Sequence, residues 1–394
     1  MISKRIREMN PSVTSLLIGK IAAMKAAGED IVSFNAGEPD FQTPEAIVAA
    51  CSDAMAQGKT KYVSVEGILP LRQAIAEKLR RENALEYKPE QIIVTTGAKQ
   101  ALFNAVMAIC DPGDEVILPK PCWVSYVEII KLAQGVPILV ASNDDYSLNM
   151  DAIKAAVSPR TKAIIINTPN NPTGAVYGKD DLFTLGKLAV EHKFYAIADE
   201  VYEKLIYDGN THVSIGSLSP EIYNRTITIN GFSKAFSMTG WRVGYSAAPL
   251  EISNAMRALQ SHTTSNSTSF IQWACMAALA ECGEGLETMR AEFEKRRNYM
   301  KKRLDAIPGI TCTNPGGAFY LMPDVSAYFG KTHDGKTIGN SVDFCEFMLT
   351  AGAVATVPGD AFEMPGTVRF SYSTSLELIE EGMNRFENAL KLLK

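Results

Sequence analysis

The chain has no run approaching the roughly 18 consecutive apolar residues of a membrane span, and it has no excess of positive charge. Its 39 basic and 44 acidic residues leave a net charge of −5, so nothing supplies the basic surface that nucleic acid binding requires. Histidine is scarce, with 4 in 394 residues and no H-E-x-x-H, which argues against a histidine-based metal site. The 7 cysteines, at positions 51, 110, 122, 275, 282, 312 and 345, are odd in number and form no C-x-x-C. They read as reduced, mostly buried small side chains of a cytoplasmic protein rather than as a disulfide framework or a zinc site. The N-terminal "MISKRIREMNPSVTS" carries basic residues with no apolar stretch behind them, so it predicts a helix and not a signal peptide.

Two nucleotide-binding patterns are also missing. The "GKT" at 58–60 would need a glycine five residues before its own, where Asp53 stands, so it is not a P-loop. No G-x-G-x-x-G follows the first apolar strand, which removes the dinucleotide fingerprint.

What the chain does have is core. Hydrophobic residues make up 46% and charged residues 21%, the profile of a globular protein, and the length calls for two lobes. Short apolar runs alternate with amphipathic helical patterns through the middle: "QIIVTT", "DEVILP", "VPILV", "KAIIIN", "FYAIA" and "TITIN". Such continuous runs predict a parallel sheet covered by helices on both faces. From about residue 285 the pattern changes to charged helices, a glycine-rich turn "NPGGAFYLM" and one more apolar run, "AVATVP", which predicts a separate α+β lobe.

Ligands of an open parallel sheet bind beyond the carboxyl ends of its strands. Here those ends carry Gly97, Ala98 and Lys99, then Asn167 to Gly174, then Asp199 and Tyr202, then Ser233 and Lys234. Between Thr226 and Leu250 the only charged residues are Lys234 and Arg242. Two cations beside a core strand, without a nearby acid, need a partner from elsewhere. The helix start at Gly97 can hold one phosphate. A phosphate site, an amine and a carboxylate at a strand end meet the needs of pyridoxal phosphate, whose aldehyde, ring nitrogen and phosphate Lys234, Asp199 and Arg242 would serve.

The motifs "SFNAGEPDFQTP", "GKTKYVSVEGILPLRQAIA", "VTTGAKQALFN", "DPGDEVILPKPCWVSY", "NTPNNPTGAVY", "IADEVYEKLIYDG", "GFSKAFSMTGWRVGY" and "VRFSYSTS" occur in this order. Together they make the chain resemble the fold type I, class I pyridoxal-phosphate-dependent aminotransferases, in particular the bacterial aspartate aminotransferases of subgroup Ib. The resemblance implies an α/β fold with a mostly parallel central sheet, a large cofactor-binding domain over 46–284, and a small domain built from 1–45 and 285–394. It implies that Lys234 holds the cofactor through an imine and shuttles the proton between the substrate α-carbon and the cofactor's C4′. Asp199 would pair with the ring nitrogen, Tyr202 and Asn171 with the phenolic oxygen, and Trp123 would stack on the ring. Arg242, Ser233 and the amides of Ala98 and Lys99 would bind the phosphate, with Tyr62 reaching in from the second subunit of a homodimer. Arg369 would clamp the substrate's α-carboxylate beside Asn171 and the Gly37 backbone.

The implied reaction is ping-pong transamination of aspartate with 2-oxoglutarate in the cytoplasm, without membrane or nucleic acid partners. Prephenate, aromatic amino acids and alanine are alternative substrates, and a decarboxylase or lyase would reuse Lys234 and Asp199. Because the match begins within the first residues, no DNA-binding domain is expected. Two features depart from the usual pattern or leave it open. Cys122 stands in "PCWVSY" where an aromatic is frequent, and "SHTTSNSTSFIQWA" offers no arginine for a distal carboxylate. Lys99 is the candidate cation for that role, the competing roles being a solvated first-turn residue or a further phosphate contact. Taken singly, Asp199 could equally cap a helix and Trp123 could belong to the core.

Overall fold

The computed structural model describes residues 2–11 and 13–394. Its largest sheet has seven strands. They are β2 (Ile92–Thr95), β3 (Glu115–Lys120), β4 (Val136–Ala141), β5 (Thr161–Asn167), β6 (Tyr195–Asp199), β7 (Thr226–Gly231) and β8 (Gly244–Ala247), the short β1 (Val32–Ser33) lying elsewhere. The spatial order is β2-β8-β7-β6-β5-β3-β4. Strands β3 to β7 pair in parallel, and β8 alone runs against both β7 and β2. The carboxyl ends of β2, β3, β5, β6 and β7 therefore open on one edge.

Strand β7 is buried along its whole length and β6 at every residue after Tyr195, as continuous apolar runs require when helices cover both faces. One covering helix, Ala98–Ile109, turns Ala101, Leu102, Ala105, Val106 and Ile109 inward. That i, i+1, i+4 spacing is the stripe of a helix lying on a sheet, and each fully buried Leu or Ile contributes about 1.5–3 kcal/mol. It shares a core with helices Val124–Leu132 and Leu250–Ser261. Helices Met150–Ala156 and Lys179–His192 supply apolar side chains to a second core on the same strands.

The C-terminal region builds a different body. Strands β9 (Tyr320–Leu321), β13 (Val357–Pro358) and β14 (Val368–Ser371) form an antiparallel sheet in the order β13-β14-β9. Strands β10 (Thr332–His333) and β11 (Lys336–Thr337) make a small hairpin, and β12 (Val354–Ala355) pairs in parallel with β1. Val32 and Phe34 from the N-terminal segment are buried with Phe344, Phe370 and Phe386 in one cluster.

Two details differ from the sequence reading. "AVATVP" is two strands in two sheets, split at Thr356. Strand β8, read from "GYSA", was not anticipated, since its glycine, serine and alanine carry little strand propensity and its pairing comes from the strands on either side.

Candidate active site

A cavity of about 510 Å³ opens at the strand-end edge, between the main sheet and the C-terminal body. That is within the size range of cofactor and ligand sites.

Lys234 enters from the turn after β7. Its ammonium donates to the Gly37 carbonyl and lies 5.9 Å from the centre of the Tyr202 ring. Burial lowers its pKa to about 8; Glu38 acts the other way, while Arg242 and Arg369 lower it further. Glu38 itself accepts a hydrogen bond from Thr239 at 2.7 Å.

Asp199 ends β6 and is 4% exposed. Burial raises its pKa to about 6, although the Tyr126 hydroxyl donates to its Oδ2 at 2.6 Å and favours the anion. Asn167, at the end of β5, donates to the Asp199 carbonyl at 2.9 Å and accepts from the Asn171 amide at 2.7 Å. The ends of two neighbouring strands are locked together in this way, which holds Asn171 and Asp199 in fixed relation.

Gly97 precedes helix Ala98–Ile109 with φ +76 and no side-chain cap. Helices Met150–Ala156, Ser341–Gly352 and Leu376–Leu390 are by contrast capped by Asn149, Asn340 and Ser375. The Arg242 guanidinium lies against this turn, since a Cβ on Gly97 would fall 2.6 Å from its Nη2, and a Cβ on Gly244 would fall 2.4 Å from the Ala98 nitrogen. Glycine at both positions leaves room for a cation and free N–H groups to face one anion. Ser233 also lines the cavity.

Arg369, on β14, is 2% exposed. Its Nη1 donates to Asn171 Oδ1 at 2.9 Å and its Nη2 to the Asn35 carbonyl at 3.0 Å, while Nε has no partner. The guanidinium lies 4.4 Å from the ring centre of Tyr320 and 4.9 Å from that of Phe362. Trp123 meets Tyr126 edge-on at 5.4 Å, and the Lys99 ammonium sits 4.7 Å from the Trp123 ring centre. Burial lowers the pKa of Lys99, and Arg242 lowers it further.

Gly37, Ala98, Lys99, Trp123, Asn171 and Asp199 therefore share one cavity wall with Tyr202, Ser233, Lys234, Arg242 and Arg369. Tyr62 does not: it is 92% exposed and does not line this cavity. Sequence reasoning overlooked Tyr126 and Tyr320. A tyrosine three residues beyond Trp123 on the same helical face was the available sign of Tyr126; Tyr320 had only its place after the glycine-rich turn. It also overlooked the N-terminal helix Val13–Ala26, which contributes Ile18, Ile21 and Ala22 to the cavity.

The donor set fits pyridoxal phosphate. A buried amine with a depressed pKa, a buried carboxylate in the same cavity, an uncapped helix start against a guanidinium and an arginine with an unpartnered Nε are complementary to an aldehyde, a ring nitrogen, a phosphate and a carboxylate.

The family profile of class I and II aminotransferases matches residues 29–386. The aspartate aminotransferase of Bacillus sp. (strain YM-2) is 45% identical over 393 residues, covering 99% of both chains. The aspartate/prephenate aminotransferase of Thermus thermophilus is 44% identical over 394 residues, covering 99% of this chain and 98% of that one. The solved structure of Thermus thermophilus aspartate aminotransferase with maleate superimposes with a TM-score of 0.93 at 42% identity, covering 99% of each chain. With this agreement along the whole chain, and with a cavity suited to their shared cofactor, the protein belongs to the pyridoxal-phosphate-dependent class I and II aminotransferases.

Proposed function

We propose that the enzyme transfers the amino group of aspartate to 2-oxoglutarate, giving oxaloacetate and glutamate, in two half-reactions at the one cavity. The observation that carries this reading is Lys234, a buried amine with a pKa near 8 that feels the charges of Asp199 and Arg369, in a cavity lined by all three.

The bound cofactor supplies an aldehyde that captures amines and a ring that stores the electron pair left when the α-proton departs. The chain supplies the rest. Lys234 Nζ, neutral in a substantial fraction near pH 8, takes the proton from the substrate α-carbon and returns it on the cofactor side. Asp199 holds negative charge beside the ring nitrogen, and the proton there would in turn pull the carboxylate's own pKa down. Arg242, Ser233 and the amides of Ala98 and Lys99 hold the phosphate. Tyr202 donates to the phenolic oxygen together with the Asn171 amide group, whose oxygen is already engaged by Arg369. Trp123 packs on the ring. Two of the five N–H donors of Arg369 are used by Asn171 and Asn35, leaving the others for the α-carboxylate beside the Gly37 backbone.

This reading divides the chain into a large domain over 46–284 and a small one from 1–45 and 285–394. The β1–β12 pairing and the shared core of Phe34 with Phe370 support it. The same reading makes the enzyme a homodimer with composite sites. The exposed Tyr62 and the exposed Val13, Leu16 and Ile18 gathered on the N-terminal helix support that, since grouped exposed apolar side chains mark an interaction surface. Mixing Lys234→Ala chains with Tyr62→Phe chains should then restore activity, because one site of each hybrid escapes both changes. The seven free cysteines support a reducing, cytoplasmic setting. Among the described residues no helix is long and apolar enough to cross a membrane.

Prephenate is the second substrate reading. It is favoured by the apolar Ile18, Ile21 and Leu102 on the cavity wall and by the name of the Thermus relative. A donor screen with 2-oxoglutarate as acceptor tests the choice. Aspartate should exceed alanine and phenylalanine in kcat/KM by about tenfold or more; an aromatic maximum would replace aspartate.

A further inference from the structure

We propose that Tyr320 is a positioning residue that ties the carboxylate-binding arginine to the cofactor-facing hydroxyl of Tyr202, through its ring on one side and its O–H on the other. The inference rests on the roles proposed above for Tyr202 and Arg369.

Tyr320 is buried on β9, whose neighbour β14 carries Arg369. The Arg369 guanidinium lies 4.4 Å from the Tyr320 ring centre and 4.9 Å from that of Phe362. Arg369 Nε makes no hydrogen bond, so the orientation of the guanidinium depends on these two rings and on Asn171 and Asn35. A buried cation over an aromatic face is held by the ring quadrupole, and the ring fixes the plane in which its N–H groups point. The Tyr320 hydroxyl is 2.9 Å from that of Tyr202, the two rings meeting at 81°. It also abuts Gly37, where a Cβ would come within 3.2 Å of it, and Gly37 carries the carbonyl that receives Lys234. One tyrosine thus touches the surroundings of three site groups.

Among the described residues, each of these two hydroxyls has the other as its hydrogen-bond partner. Burial holds both phenols protonated, raising each pKa. Two protons and one shared bond leave a single productive arrangement when an acceptor lies in the cavity. Tyr320 donates to Tyr202, and Tyr202 donates onward. A hydroxyl that accepts a hydrogen bond becomes a better donor, by roughly 10–30% per link. The oxygen receiving Tyr202's hydrogen bond is then better stabilised as an anion, and the lysine-bound cofactor gives up its proton at lower pH. The charged groups around this equilibrium are Lys25, Glu38, Asp199, Lys99, Lys234, Arg242 and Arg369; Tyr320→Phe alters none of them and keeps the ring beside Arg369.

The test uses the resting holoenzyme and two readouts that need no turnover: the pH midpoint of its visible absorbance and the dissociation constant of maleate. Tyr202→Phe, which removes the whole donor, should raise the midpoint by about one pH unit or more. Tyr320→Phe should raise it by roughly 0.2–0.6 of a unit and leave maleate binding within about twofold, because the ring stays under the guanidinium. In a Tyr202→Phe background, Tyr320→Phe should add no shift, since its effect passes through Tyr202. Tyr320→Leu should weaken maleate by about tenfold. If Tyr202→Phe moves the midpoint and Tyr320→Phe does not, or moves it equally in both backgrounds, the hydroxyl link is overturned while the Tyr202 role stands. If Tyr202→Phe leaves the midpoint in place, both fall. Equal maleate affinities for Tyr320→Leu and Tyr320→Phe would overturn the ring contact.

Discussion

Asp199 and Glu200 are neighbours in sequence and opposites in surroundings. Asp199 faces the cavity, where Lys99, Lys234, Arg242 and Arg369 have no ion-paired carboxylate among the described residues. Glu200 turns to the other side of the strand end, into a buried cluster with its own cations. Its Oε2 accepts from Ser214 at 2.7 Å and pairs with His212 at 3.0 Å. Asn83 donates to Glu203 at 2.6 Å and to Ser214 at 2.9 Å, and Lys78 pairs with Glu203 and Asn83. The atoms of Glu200, Glu203 and His212 lie within 4.8 Å of one another, close enough to share an ion, and the cation that Glu203 meets is Lys78. Buried charge that is matched from within needs no ligand, whereas buried charge left unmatched stores an electrostatic demand that a ligand can satisfy. The front of the strand end reads as function and the back as architecture.

The front should break most severely. Lys234→Ala removes the amine that moves the α-proton, and steady-state transamination should fall by on the order of 10⁴ or more, along with the lysine-dependent visible absorbance of the holoenzyme. Normal turnover in that variant would remove Lys234 from the mechanism. Asp199→Ala comes next. Losing a preorganised charge of this kind costs about 3 kcal/mol or more, so kcat should drop by at least roughly a hundredfold. A change below tenfold would make Asp199 a structural carboxylate like its neighbour Glu200.

The back should respond in stability rather than in rate. Burial would raise the pKa of Glu203, but Lys78, His212 and Lys204 outweigh it and hold the group at about 2. A depressed carboxylate stabilises the fold above its unfolded value, near 4.3, and that contribution is lost as pH falls toward 2. For His212 burial disfavours the charge, yet Glu200 and Glu203 raise its pKa above the ordinary value. Its contribution has the opposite sense: complete below about 6.5 and lost as pH rises through the raised value. Glu203→Gln should therefore lower the thermal midpoint of the holoenzyme at neutral pH by roughly 5 °C, from about 3 kcal/mol for a stranded Lys78. The difference should shrink in acid, and kcat should stay within about twofold. A collapse of kcat with an unmoved midpoint would place the cluster in the catalytic apparatus.

Much of this front-to-back contrast was readable from sequence, and the part that was not has a physical reason. Continuous runs such as "KAIIIN" and "TITIN" announce buried strands through their own composition, and Lys234 and Arg242 stand out because no acid lies near them in the chain. Strand β8 was hidden because small residues take their conformation from neighbouring strands. The split at Thr356 was hidden because one apolar run can serve two sheets. Tyr126 and Tyr320 act through hydroxyl partners 73 and 118 residues away, and local periodicity carries no such information. The back cluster was likewise invisible, since Lys78, Asn83 and Glu203 look like solvated helix and turn residues until the fold buries them together.

Lys99 gives the finest test of the contrast. Its ammonium lies 4.7 Å from the centre of the Trp123 ring. Burial and Arg242 both lower its pKa, so its charge is held at a cost that a carboxylate would relieve. The segment "SHTTSNSTSF" has no arginine for the distal end of a dicarboxylate, and burying that charge unpaired would be unfavourable. Lys99 is the second residue of its helix, next to the uncapped start at Gly97, and it lines the cavity. If it serves the distal carboxylate, Lys99→Ala should raise KM for aspartate and 2-oxoglutarate by about tenfold, with alanine and aromatic donors changed by about twofold or less. Steady-state kinetics with the four substrates would measure this directly. A uniform loss across all of them would assign Lys99 to the phosphate end, and the preference for aspartate would then need another cation.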